Sequence, residues 1–127
     1  ILLVEDTPFF RSLVKQYFES VGYKVDLAVD GMDAMKKLQK NKYQAFVVDI
    51  IMPRMDGFEF AKAVRSNEEY DTTPLIALTT LSDDVNRSKA TEIGFDAYEI
   101  KVHKEHLLET VKKLLNKKKS ISKQEAL

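Results

Sequence analysis

Cysteine is absent from these 127 residues, which excludes a disulfide framework and any thiolate metal site. Net charge is missing too, because twenty basic residues balance twenty acidic ones. No overall field therefore draws the chain to nucleic acid or to an anionic membrane. Neither a signal peptide nor an apolar span long enough for a bilayer is found, so a cytoplasmic setting without membrane insertion is expected. A Gly-rich loop that would cradle a nucleotide is lacking, as are internal repeats. The chain has no initiator methionine and begins inside an apolar run, which suggests a piece of a longer polypeptide.

What is present is regular. With 44% hydrophobic residues, the chain suits one compact domain whose core is large enough to fold alone. Apolar runs near residues 1–4, 24–29, 45–49, 74–79 and 96–100 alternate with segments of helical period, the pattern of a parallel sheet with crossover helices. In the first helix Phe10, Leu13, Val14, Tyr17, Phe18 and Val21 trace one face. Pro8 suits its first turn and Gly22 its end. Further helices fall near 32–40, 57–66, 83–93 and 103–116. Ser82, Asp83 and Asp84 suit the start of the fourth, and Gly94 its end. Its apolar face is only Val85, Ala90 and Ile93, so it should be the least firmly packed. The domain is expected to span 1–116, with 117–127 a basic and polar tail or linker that has no apolar periodicity.

One carboxylate stands out. Asp49 ends the run Ala45 to Val48, where a charge is costly unless something uses it. Glu5 and Asp6 end the first run, and Lys101 ends the fifth. Ligands of open parallel sheets bind beyond the carboxyl ends of the strands, at the switch point. With the order 2-1-3-4-5, taken by analogy, that point lies between strands 1 and 3. A strand spacing of about 4.8 Å then brings Glu5, Asp6 and Asp49 within reach of one cation. Thr79, ending strand 4, needs only a short side chain to reach over Asp49. Lys101 lies two spacings or roughly 10 Å away, a gap its long side chain closes. Three carboxylates this close repel one another unless a cation or protons intervene. Oxygen-only ligands at a site open to water favour Mg²⁺, and the carbonyl of Ile51 could add a ligand. A carboxylate nucleophile beside a divalent ion, a lysine and a threonine is apparatus for phosphoryl transfer.

These residues resemble the receiver domain of two-component response regulators, the CheY-like family. The motifs are Val4-Glu5-Asp6; Asp49 with Met52-Pro53-Arg54-Met55-Asp56-Gly57; Ala77-Leu78-Thr79-Thr80; and Tyr98-Glu99-Ile100-Lys101. The resemblance covers residues 1–116 and implies a flavodoxin-like (βα)5 three-layer sandwich of class α/β. It implies Asp49 as phosphoacceptor, and Glu5, Asp6, Asp49 and the Ile51 carbonyl as the Mg²⁺ site. It also implies Thr79 and Lys101 as holders of the phosphoryl oxygens. On phosphorylation Thr79 would move to the phosphate and Tyr98 would turn inward, changing the surface of helix 4, strand 5 and helix 5. The implied partners are a histidine kinase or its phosphohistidine domain, and a downstream signalling protein at that surface. Val102 follows Lys101 where the family usually has proline. The segment 5–11, Ile93-Gly94-Phe95-Asp96 and the lysine without proline resemble receivers fused to CheA-type chemotaxis kinases.

Single residues and the whole chain admit other readings. Asp6 alone would serve as a helix cap before Pro8, and Asp56, with Gly57 and Glu59 after it, reads better as a cap than as a ligand. His103 and His106 read as solvated, and the four methionines as filler of core and loops. The alternative function is a receiver-fold docking module, independent of phosphorylation, within a hybrid kinase. A phosphatase acting on an external substrate would need a cap domain for which the chain has no length. Flavin binding fails on the acidic loop after strand 1. Apolar Ile51 and Leu81, with bulky Thr80, imply slow self-dephosphorylation by the resemblance.

Overall fold

A computed structural model describes the backbone of residues 1–52, 55–80 and 84–126, with side chains described as far as Lys117. Five strands form one parallel sheet in the order β2-β1-β3-β4-β5. In chain order the elements are β1 (Leu2–Val4), α1 (Pro8–Glu19), β2 (Asp26–Ala28), α2 (Gly31–Lys40), β3 (Phe46–Asp49) and α3 (Gly57–Arg65). A 3-10 turn (Glu68–Tyr70) precedes β4 (Leu75–Thr79), α4 (Asp84–Ile93), β5 (Ala97–Ile100) and α5 (Lys104–Ala126). Among the described residues no helix is long and apolar enough to cross a membrane.

The two-residue period of the strands divides the core into two layers. Leu2, Val4, Phe46, Val48, Leu75 and Ala77 point to the side covered by α2, α3 and α4, where Phe58, Phe60, Ala61, Val64 and Ala90 meet them. Leu3, Val47, Ile76 and Leu78 point to the other side, against Val14 and Phe18 of α1 and Leu107 and Val111 of α5. Central strands buried on both faces read as the continuous apolar runs seen in the sequence.

Three sequence expectations shift. Val21 lies past the end of α1 and is 55% exposed, and Val85 is 78% exposed. The buried side of α4 is reduced to Ala90 with Ile93 beside it. Cations cover what apolar residues do not: the Arg87 guanidinium sits 4.7 Å from the Tyr98 ring, and Lys89 Nζ sits 4.4 Å from that of Phe58. Helix α5 continues to Ala126, beyond the expected stop near 116. Lysine, glutamine, glutamate and alanine are good helix formers and extend a helix without an apolar face to bury. The expected start of the fourth helix at Ser82 and Asp83, with Pro53, Arg54 and Leu81, lies outside the described residues.

Geometry requires glycine at several positions, Gly22 and Gly57 among them. Gly22 has φ +94° after α1, a conformation that glycine adopts without steric cost. Gly57 lets the start of α3 press on the end of β3, since a Cβ there would lie 2.2 Å from Asp49 O and 2.6 Å from Ile50 Cα. Backbone cannot yield as a side chain tip does. The expected result for Gly57→Ala is a loss of about 1–3 kcal/mol in urea unfolding, from overpacking at the strand end. An unchanged midpoint would show that this contact relaxes freely.

Candidate functional site

Register brings the acidic residues together. Val4 pairs with Val48 and Asp49 with Leu78, so Glu5 and Asp49 emerge side by side from neighbouring strands. Oxygens of Glu5, Asp6 and Asp49 lie within 4.8 Å of one another. Glu5 is fully buried, Asp49 is 4% exposed, and Asp6 is half-buried. Burial of this kind needs compensation, and Lys101 supplies it from two strands away. Its Nζ lies 2.8 Å from Glu5 Oε2 and 3.2 Å from Asp49 Oδ2. Toward Asp49 the contact is a hydrogen bond. Toward Glu5 it is a charge contact, and among the described residues Oε2 has no hydrogen-bond partner.

The rest of the cradle is backbone. Ile51 N–H donates to Asp49 Oδ1 at 3.1 Å, and Thr7 N–H donates to Glu5 Oε1 at 3.1 Å. Arg11 Nη1 donates to the carbonyls of Glu5 and Asp6 at 3.0 and 3.3 Å, fixing the β1–α1 loop from the first turns of α1. Lys101 is held from below as well, its N–H donating to Thr79 O at 2.9 Å, while the Phe10 ring lies 4.7 Å from its ammonium. The Lys101–Val102 peptide is trans, as are all described peptides.

Asp49 carries the electrostatic strain of the cluster. Burial first, and the charge of Glu5 second, push its carboxyl from the usual 3.8 up to about 7, against the bond from Ile51 and the charge of Lys101. A clustered set of hard oxygen donors with one carboxyl held back from ionising fits a small divalent cation, which favours the charged forms.

The remaining expected residues are placed as follows. Thr79 is buried at the end of β4, 7% exposed. Tyr98 is 9% exposed, with its hydroxyl buried and without a hydrogen-bond partner among the described residues. The Ile51 side chain is 69% exposed at the rim, and Thr80 is exposed. Asp6 does not cap α1, whose cap position is Thr7 with no side-chain bond. Asp56 does cap α3, accepting from Glu59 N–H at 2.9 Å. Met52 is buried and Met35 and Met55 pack on the core, whereas Met32 is exposed.

His106 departs from the expectation of a solvated side chain. Although 70% exposed, its Nδ1 meets Glu99 Oε1, and this bond, with the carboxylate's charge, raises its pKa. Thr110 Oγ1 donates to the other oxygen of Glu99 at 2.9 Å. Glu99 is 4% exposed and ties β5 to α5. An acidic residue inside an apolar strand was a signal available in the sequence, but its partners lie seven and eleven residues on, across a turn.

Comparison with known proteins agrees with this geometry. Residues 1–113 match the family described as the response regulator receiver domain. The regulatory protein VanRB of Enterococcus faecalis is 34% identical over 98% of the chain. This chain spans about half or less of the length of such curated relatives, 56% of VanRB and 13% of the gliding motility regulatory protein of Myxococcus xanthus. The chemotaxis protein CheY4 of Vibrio cholerae superposes with a TM-score of 0.83 at 34% identity, over 89% of this chain and 95% of that one. The receiver domain of the sensor histidine kinase PA1611 of Pseudomonas aeruginosa PAO1 superposes with a TM-score of 0.82 at 28% identity, over 91% and 95%. That protein was solved with a magnesium ion coordinated in its active site cleft.

The Asp49 shift sets a pH dependence. A carboxyl whose pKa is higher folded than unfolded binds more protons when folded, so stability falls as pH rises between 3.8 and about 7. Without divalent cations, the gain of Asp49→Asn over the unsubstituted chain in urea unfolding should therefore grow across that window and level off above it. Carbon NMR of the Asp49 carboxyl should titrate near neutrality, and a midpoint in the ordinary carboxylate range would refute the assignment.

Proposed function

The chain belongs to the response regulator receiver domain family of two-component signalling, and on that footing we propose that it accepts a phosphoryl group on Asp49 from a phosphohistidine. The observation that carries this reading is a nearly buried carboxylate whose one charged hydrogen-bond donor among the described residues, Lys101, is at the same time 2.8 Å from a second carboxylate. In the transfer an Asp49 oxygen attacks phosphorus, and the phosphorus–nitrogen bond of the donor breaks. The imidazole leaves with the electron pair and takes up a proton, leaving an aspartyl phosphate. Glu5, Asp6, Asp49 and the Ile51 carbonyl are the residues that would hold Mg²⁺, which supplies neutralisation of the crowded carboxylates and of the phosphoryl charge.

The other parts are the chain's own. Ile51 N–H orients one oxygen of Asp49. Lys101 has two carboxylates to share its ammonium between, and transfer of that ammonium to the phosphoryl group needs only a short swing. Thr79 ends β4 beside Asp49, with a hydroxyl of the right length to follow the phosphate. Conversion of Asp49 to a phosphorylated anion biases the surface of α4, β5 and α5 between two states. A downstream signalling protein reads that surface, and chemotaxis is the pathway class supported by the CheY4 likeness.

A second reading has its own observation. The Tyr98 ring is already buried and covered by Arg87 in the unmodified protein, which favours a surface poised for docking without phosphorylation, as in a receiver held inside a hybrid kinase. The likeness to the receiver of a sensor histidine kinase supports the fused setting.

Incubation with an acyl phosphate donor and Mg²⁺ separates the two. The expected outcome is one added phosphoryl mass on the unsubstituted chain, none on Asp49→Ala, and none after chelation of the metal. With apolar Ile51 exposed at the rim, the adduct should decay over minutes or longer once donor is removed. Absence of the adduct, or an equal one on Asp49→Ala, would leave the docking reading.

A further inference from the structure

The far edge of the sheet carries a second feature that phosphoryl transfer does not use. Among the described residues β2 is an edge strand, bonded to β1 alone. Asp26 N–H donates to Ile1 O at 2.9 Å and Ala28 O accepts from Glu5 N–H at 3.0 Å, so both residues turn their backbone inward. By the alternation of a parallel ladder, the N–H and C=O of Val25 and Leu27 turn outward. They open into a cleft of about 500 Å³ between α1 and α2. A smaller cleft of about 280 Å³ shares Asp26 and Asn41 with it and extends the groove along the strand to Ile1 and Lys24.

The cleft is basic although the chain is neutral. Lys15, Lys36, Lys37 and Lys40 line it, against Asp26 and Asp33. Both acids are engaged, Asp26 by the Tyr43 hydroxyl at 2.7 Å and Asp33 by Lys37 at 3.6 Å and Val29 N–H at 3.0 Å. Lys36 and Lys40 are exposed and have no ion pair among the described residues.

We propose that this edge is a docking site for an extended acidic segment of a partner protein, which pairs with Val25 and Leu27 as an added strand while its carboxylates meet Lys36 and Lys40. The edge itself selects this occupant. A free phosphate would use the outward N–H groups but face the outward carbonyls and two carboxylates, whereas an extended peptide satisfies donors and acceptors together. A second copy of this chain would set four lysines against four lysines. A segment alternating acidic and apolar residues puts its acids on one face, over α2, and its apolar residues on the other.

The test uses the full chain and a synthetic peptide alternating glutamate and valine, followed by amide NMR and hydrogen exchange. Slowed exchange and shifted amides at Val25 and Leu27 are expected, with affinity falling about tenfold in Lys36→Glu/Lys40→Glu and falling at high salt. A backbone N-methylated version of the peptide should not bind, since it cannot pair as a strand. Circular dichroism establishes that the double variant is folded, its positions being exposed on α2. Equal shifts with inorganic triphosphate would overturn the proposal in favour of a simple anion site. No change at Leu27 with either probe would overturn it too, the lysines then serving only to guard an edge against pairing.

Discussion

The Lys101 ammonium between Glu5 and Asp49 is the interaction on which the rest of the structure turns. Three strands end in charge at one rim, and Glu5 and Asp49 are almost fully withdrawn from water. Removing the lysine from such a buried group typically costs about 3–5 kcal/mol, because both carboxylates are left uncompensated. The pairing across β1, β3 and β5 therefore constrains strand order and strand length alike. Each strand must stop where its last side chain can reach the same point.

That balance is incomplete, and its incompleteness is what a switch needs. One ammonium faces two buried carboxylates with Asp6 close by, and burial first, then the charge of Glu5, raises the pKa of the Asp49 carboxyl to about 7. A site with unspent negative charge binds a divalent cation readily, and a site with a lysine already close by meets a phosphoryl group after only a short swing of its ammonium. Helix α4 is held by cations stacked on Tyr98 and Phe58 beside the apolar contacts of Ala90 and Ile93. Packing of that kind can be exchanged cheaply, which suits the element expected to move.

Most of the fold was legible because parallel strands buried on both faces write themselves as apolar runs, and the helices between them keep a clear period. The site was legible for a related reason. Charged residues at the ends of apolar runs are costly, so Glu5, Asp49 and Lys101 stand out before any partner is known. Contacts made by exposed or long side chains across distant loops were not. Arg65 binds Gly94 O, Tyr70 O, Thr73 O and the Asp96 carboxylate, which also accepts from Leu75 N–H, and so fastens α3 to the start of β4 and the α4–β5 turn. In the sequence it is one more arginine near a helix end. The Glu99–His106 contact was hidden likewise, and the length of α5 exceeded its apolar period because backbone propensity alone extends a helix.

In the proposed transfer Asp49 and Lys101 form one device, in which the ammonium leaves Glu5 for a phosphoryl group on Asp49. A crystal structure with Mg²⁺ and beryllofluoride tests it most directly. The adduct should form on an Asp49 oxygen, with Lys101 Nζ moved from Glu5 Oε2 onto a fluorine and the Thr79 hydroxyl beside another. An adduct elsewhere, or an occupied Asp49 with Lys101 still on Glu5, would contradict it.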